Sequence, residues 1–114
     1  MKVLTFDELI KLLKSKDACA DQLKPILKDG TLDFAYKVMR GNRNWVRQHF
    51  GTDFDDILND GEALTFRSDR QLRERWNFKS GRIEGLYECW HSGGQLWRSC
   101  NYANDIPIEE SPRT

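Results

Sequence analysis

Apolar side chains in the first fifty residues recur at three- and four-residue spacing, the period of amphipathic helices. Phe6, Leu9, Ile10 and Leu13 form the first such stripe. Thr5 stands where it can cap that helix, Glu8 three residues on completes a capping box, and Leu4 and Leu9 are placed for a hydrophobic staple. The helix is expected to end near Ser15-Lys16. Asp17 is the expected cap of a second helix through Cys19, Leu23, Ile26 and Leu27, which Pro25 should kink or split by removing a donor and crowding the preceding turn. Gly30 is a natural stop and Thr31 a natural new cap for a third stripe, Leu32, Ala35, Tyr36 and Met39, closed by Gly41. Asn42 is the expected cap of a fourth, short helix carrying Trp45, Val46, His49 and Phe50 and ending at Gly51. Helices this short are marginal alone, so their stripes are read first as core.

The second half changes period and repeats itself. At one constant offset Phe66 falls on Trp90, Ser68 on Ser92, Gln71 on Gln95, Leu72 on Leu96, Asn77 on Asn101 and Phe78 on Tyr102. Each unit reads strand, polar turn, strand, polar turn. The turns are Ser68-Asp69-Arg70, Lys79-Ser80-Gly81, His91-Ser92-Gly93-Gly94 and Ala103-Asn104-Asp105, rich in residues that supply positive backbone angles and local hydrogen bonds. Between them lie Leu64–Phe66, Gln71–Phe78, Ile83–Trp90 and Gln95–Tyr102, strand-length and aromatic. The expected fold is therefore α+β: an N-terminal cluster of short helices (1–60) packed on a C-terminal antiparallel β-meander of about four strands (61–109), with a short tail (110–114), all in one compact unit. So few hairpins leave exposed sheet ends, one of which the helices should cap.

Gly81, Ile83, Gly85, Tyr87, Trp90, Gly94 and Leu96, with Tyr102 at the next aromatic position, give this stretch a pattern that resembles the MORN repeat in its bacterial variant form. The preceding unit, Gly61 to Phe78, keeps Phe66 and Leu72 but has Asp69-Arg70 where the turn glycine is expected, and the following one, Asp105 to Thr114, is a fragment. The resemblance covers residues 61–109 and implies stacked hairpins that act as an interaction scaffold. The N-terminal half, through Lys16-Asp17-Ala18-Cys19-Ala20 and Trp45, more weakly resembles small helical modules encoded by phages. Together the two resemblances imply a phage or prophage accessory protein. Its partner would be a bacterial host factor, such as a defence complex of the CRISPR-effector kind, inhibited by blocking a surface.

Composition narrows the functional classes. A chain of 114 residues that is 39% hydrophobic and 32% charged suits one globular domain. Lys+Arg and Asp+Glu both number 18, so no global field draws the chain to nucleic acid or membrane, and any such preference must be local. No apolar run reaches the roughly 18 residues of a membrane span, and the N-terminus turns acidic too early for a signal peptide. Three cysteines, Cys19, Cys89 and Cys100, are an odd, widely spaced set that reads as free thiols in a reducing cytoplasm.

Candidate chemistry is sparse. His49 sits among helical apolar residues and His91 in a turn; Cys89, His91 and Cys100 lack the spacing and the fourth ligand of a zinc site. Cys89 and His91 are expected to point outward on a flexible turn and so make no nucleophile pair. Gly93-Gly94 lacks the lysine and helix start of a phosphate loop. The reading is of a non-enzymatic chain with no cofactor and no metal. Asp53, Asp55, Asp56, Asp60 and Glu62 form an acidic stretch read first as a solvated helix start or linker, and otherwise as a patch that mimics nucleic-acid phosphates or meets a basic partner. Arg67, Arg70, Arg73, Arg75, Lys79 and Arg82 interleave with Phe66, Trp76 and Phe78. Such a run can bind a protein, bind single-stranded nucleic acid by charge and stacking, or be no more than a solvated face. The residues expected to contact a protein partner are Arg73, Arg75, Trp76, Tyr87, Trp90 and Trp97, the last because it alternates away from Leu96. Nucleic acid through the Arg67–Arg82 run is the alternative, and unpaired strand edges offer a route to a homodimer.

Overall fold

The structure, a computed structural model, describes residues 4–69 and 71–110. Arg70, which belongs to the first turn and to the basic run, and the tail beyond residue 110 lie outside the described residues. Among the described residues five helices, α1 (Phe6–Ser15), α2 (Ala20–Asp29), α3 (Leu32–Gly41), α4 (Arg43–Phe50) and α5 (Asp55–Leu58), precede six strands, β1 (Gly61–Phe66), β2 (Leu72–Lys79), β3 (Arg82–Ile83), β4 (Gly85–Trp90), β5 (Leu96–Ala103) and β6 (Ile106–Glu110). The fold is α+β, with the helices in the first half and an antiparallel sheet in the second. No helix among the described residues is long and apolar enough to cross a membrane.

Helix boundaries follow local chemistry. Thr5 and Glu8 make both bonds of the capping box at α1, at 3.1 and 2.9 Å, and Thr31 accepts the Phe34 amide at α3. Asp17 does not cap α2. It takes a left-handed conformation (φ 57°) in the turn that closes α1, where Ala18 N–H returns to the Leu13 carbonyl, so α2 starts after Cys19. A short polar residue tolerates that conformation, and here it serves the end of one helix rather than the start of the next. Pro25 leaves α2 unsplit and is buried within it. Asn42 also works backward: its amide donates to the Val38 carbonyl (2.9 Å), closing α3, and gives α4 no side-chain cap. The stripes converge as expected, with Leu9, Val38, Val46 and Leu58 fully enclosed.

The sheet runs β1-β2-β4-β5-β6, each neighbour next in sequence apart from the short β3, which pairs with β2. The strands exceed the expected four: Ile83–Trp90 breaks at Glu84 into β3 and β4, and the terminal fragment forms β6. The repeat is visible in the backbone. The offset that carries β1 (61–66) onto β4 (85–90) also carries β2 (72–79) onto β5 (96–103). Ser80-Gly81 and Asn104-Asp105 both form two-residue turns with positive φ at each position (51° and 80°, then 49° and 71°). That conformation matches strand twist in tight hairpins.

The helical half closes one side of this sheet. β1 is an edge strand, and its outward backbone groups are met by side chains. Gln22 donates to the Phe66 carbonyl (2.8 Å) and accepts the Phe66 amide (3.1 Å), imitating a neighbouring strand. Arg40 donates to the Glu62 carbonyl (3.2 Å). Between them α3 comes so close that a Cβ on Gly41 would lie 1.9 Å from the Leu64 carbonyl oxygen. The opposite edge, β6, exposes Ile106 and Ile108 to 63% and 65%.

A candidate binding cleft built on two bulges

Regular pairing would send Arg73 and Trp97 to positions fixed by strand alternation. The strand register passes over both residues. Thr65 faces Glu74 while Phe66 faces Leu72, leaving Arg73 as the extra residue of a β-bulge. Cys89 faces Arg98 while Trp90 faces Leu96, leaving Trp97 as the extra residue of a second. The two bulges occupy equivalent positions, one in each hairpin unit. Bulges bend a strand and re-aim its side chains, and both extra residues line one cleft of about 250 Å³ with Arg67, Glu74, Tyr87, Cys89, Trp90 and Arg98.

The floor of the cleft is a hydrogen-bonded network. Glu74 accepts from the Thr65 hydroxyl (3.0 Å) through Oε1 and from the Tyr87 hydroxyl through Oε2. Burial, then the neighbouring Glu74 carboxylate, pushes the Tyr87 phenol well above its ordinary value. Tyr87 lies between Trp76 and Tyr102, at centroid distances of 5.5 and 5.7 Å. The rim is basic and aromatic. Arg67 reaches across to the Trp90 carbonyl (2.7 Å). Exposed Arg73 lies 3.4 Å from Glu74. Trp97 is 53% exposed, beside the His91 ring at 5.5 Å, and Arg98 is exposed. Among the lining residues Arg67 and Arg73 stand against the single carboxylate of Glu74, so these three leave the cleft positive.

Of the six residues expected at a partner interface, Arg73, Tyr87, Trp90 and Trp97 line this cleft. Trp76 does not; it is 8% exposed and stacks in the interior of the sheet. Arg75 lies on the opposite face, paired with Glu88 (2.7 Å) and stacked over the Trp90 ring at 5.5 Å. The basic run is therefore divided: Arg67 and Arg73 at the cleft, Arg75 on the other face, Lys79 and Arg82 at the far hairpin. Arg98, absent from the expected set, joins them. Its one sequence signal is the repeat offset that equates it with Glu74.

The remaining candidates separate. Cys89 is buried, not directed outward, because alternation places it on the inner face with Tyr87; Cys100 is buried too, Cys19 is exposed, and none of the three forms a disulfide. Among the described residues no three His, Cys, Asp or Glu side chains gather where a metal ion could sit. Within the acidic stretch, Asp55 meets Arg47 (3.4 Å), Glu62 meets Lys37 (3.6 Å) and Asp60 accepts the Ser80 amide (2.9 Å), so much of its charge is used inside the fold. No protein-family model, no curated protein and no solved structure matches the chain.

Proposed function

We propose that the chain is a non-enzymatic protein-binding module whose cleft docks an acidic segment of a partner protein. The observation that carries this reading is the pair of bulges that project Trp97 and Arg73 onto one positive cleft. Tryptophan and arginine dominate interface energetics because they combine a large apolar contact with directional donors, and an exposed tryptophan ringed by guanidinium groups suits a segment carrying carboxylates. The resemblance of residues 61–109 to MORN repeats, a scaffold family, supports the same reading. The weaker resemblance to phage-encoded modules points to a cytoplasmic bacterial host factor or defence complex, such as a CRISPR effector, blocked by surface occlusion. The β6 edge is poorly suited to self-association. Ala103 and Ile106 close a two-residue hairpin, so the nitrogen of Pro107 faces the open edge and offers no donor there, a common guard against edge pairing.

The test is affinity capture from bacterial lysate, with and without nuclease, using the wild-type chain, Trp97→Ala and Arg73→Glu. A stoichiometric protein that survives nuclease and is lost with either variant is the expected result. Loss of Trp97 should weaken binding by about 2 kcal/mol or more. Recovery that vanishes with nuclease would overturn the proposal in favour of nucleic acid on the Arg67–Arg82 run, for which steep salt dependence is the signature.

A further inference from the structure

The acidic stretch 53–62 is only partly used inside the fold. Asp55, Asp60 and Glu62 have partners there. Asp53 and Asp56 are exposed, and among the described residues their carboxylates form no ion pair and no hydrogen bond. Both line a groove of about 630 Å³ where α1 meets the turn between α4 and α5, and its apolar walls are Leu4, Leu12, Phe50 and Phe54. That volume is in the range of ligand sites and has room for several side chains. The groove shares no lining residue with the Trp97 cleft.

The chain path makes this groove. Gly51 ends α4 at φ 60°, and two tight turns follow: Asp53 N–H donates to the Phe50 carbonyl (3.2 Å) and Asp55 N–H to the Thr52 carbonyl (3.1 Å). They send Phe54 into the core, 3% exposed, and leave Asp53 and Asp56 in solvent. Phe50 meets Phe54 edge-on at 5.4 Å. Leu4, Leu12 and Phe50 pack against the core and yet stay half-buried, so each keeps an apolar flank uncovered. Neighbouring charges do not cancel the two carboxylates. Asp55 takes up Arg47 at 3.4 Å. On α1 the residues four before and four after Leu12 are Glu8 and Lys16, which are opposite in sign.

We infer that this groove docks a basic, apolar segment of a partner protein, one in which leucine-like side chains alternate with lysine or arginine. The walls offer apolar contact to the first, and the two solvent-facing carboxylates offer charge to the second. Carboxylates at a rim steer such a segment and fix its sign, while the apolar area supplies most of the affinity. The groove therefore calls for a partner surface opposite in charge to the one that suits the Trp97 cleft, and it does not depend on that cleft.

The experiment is fluorescence anisotropy of the full chain with a labelled peptide of leucine and lysine. Two counterparts run in parallel, one with glutamate for lysine and one with serine for leucine. The expected result is saturable binding of the leucine–lysine peptide, with each counterpart weaker by about tenfold or more. Asp53→Asn combined with Asp56→Asn should weaken the leucine–lysine peptide about tenfold at low salt, the effect of two exposed ion pairs lost together. Asp33→Asn, which removes an exposed carboxylate outside the groove, should leave binding unchanged. The wild-type comparison of the three peptides requires no variant to fold. Equal binding of the leucine–glutamate or serine–lysine peptide, or equal losses from Asp33→Asn and the Asp53/Asp56 pair, would overturn the assignment. So would a many-fold gain in affinity on Lys2→Gln, which would make the chain's own lysine the occupant.

Discussion

The two hairpin units of the sheet have nearly the same backbone and different surroundings. Strand limits, turn angles and the position of the bulge all coincide at the repeat offset. Yet Ala63, Leu64 and Thr65 of the first unit are buried beside the helices, whereas Leu86, Leu96 and Trp97 of the second stand in solvent. Phe66 packs against the helical core, while its counterpart Trp90 is capped by a guanidinium. Cover, together with the strand pattern that buries Cys89 and Cys100, decides how much of each repeat becomes core. The bulge follows the same rule: in the covered unit its extra residue is a charged Arg73, and in the uncovered one an aromatic Trp97, and the two meet at the seam between units.

The largest effect is expected where the cover is closest. Gly41→Ala places a methyl group against the backbone oxygen of Leu64, which has no flexible end to yield. The loss should be about 3 kcal/mol or more in urea unfolding, at the upper range of overpacking. The same change at Gly93, in the turn of the uncovered unit with nothing within 4 Å, should stay within about 0.5 kcal/mol. Equal unfolding midpoints for the two variants would show that α3 does not lie against β1.

Gln22 tests the same cover by hydrogen bonding. Gln22→Ala leaves both the amide and the carbonyl of Phe66 without their partners. The expected cost is about 1–3 kcal/mol, the range for half-buried polar groups left unmet. Hydrogen exchange gives the sharper readout. Protection at the Phe66 amide should fall, while amides between β4 and β5 keep theirs. A uniform loss across the sheet would mean that Gln22 supports the helices and not the edge.

Much of this was legible in the sequence because it rests on local rules. Caps at Thr5 and Thr31, stops at Gly30 and Gly51, and turns at 80–81 and 104–105 follow from short-range chemistry, and the recurrence of like residues at one offset disclosed the repeat. Two misreadings fall where one residue can serve either neighbour. Asp17 and Asn42 are good starts and good ends, and the tertiary path chose the ends. The cleft was partly legible by residue type, since aromatic and arginine positions were the natural candidates, but strict alternation cannot foresee a bulge. Arg73 and Trp97 were brought together by a backbone irregularity that carries no glycine or proline marker in either strand. Trp76 and Trp97 look alike in the sequence; the packing of Tyr87 and Phe78 around the first is what makes it core.

The smallest expected effect separates the units at a single hydroxyl. Tyr87 occupies the position that Ala63 holds in the first unit, and it adds to the shared backbone a bond to Glu74. Tyr87→Phe keeps the ring stack and leaves Glu74 its bond from Thr65, so the loss near neutral pH should be about 1 kcal/mol. The pH dependence is more diagnostic. The folded state raises the phenol's pKa, through burial and then through Glu74, and so favours the protonated form. That stability is fully present below the unfolded value of about 10. As pH climbs past it, the unfolded chain releases a proton that the folded chain retains, and the advantage is lost. The wild-type and Tyr87→Phe chains should therefore differ by a constant amount up to about pH 9 and converge above about pH 10. A difference that stays constant into alkali would mean that the hydroxyl is solvated, and that the floor of the cleft is not closed by Glu74.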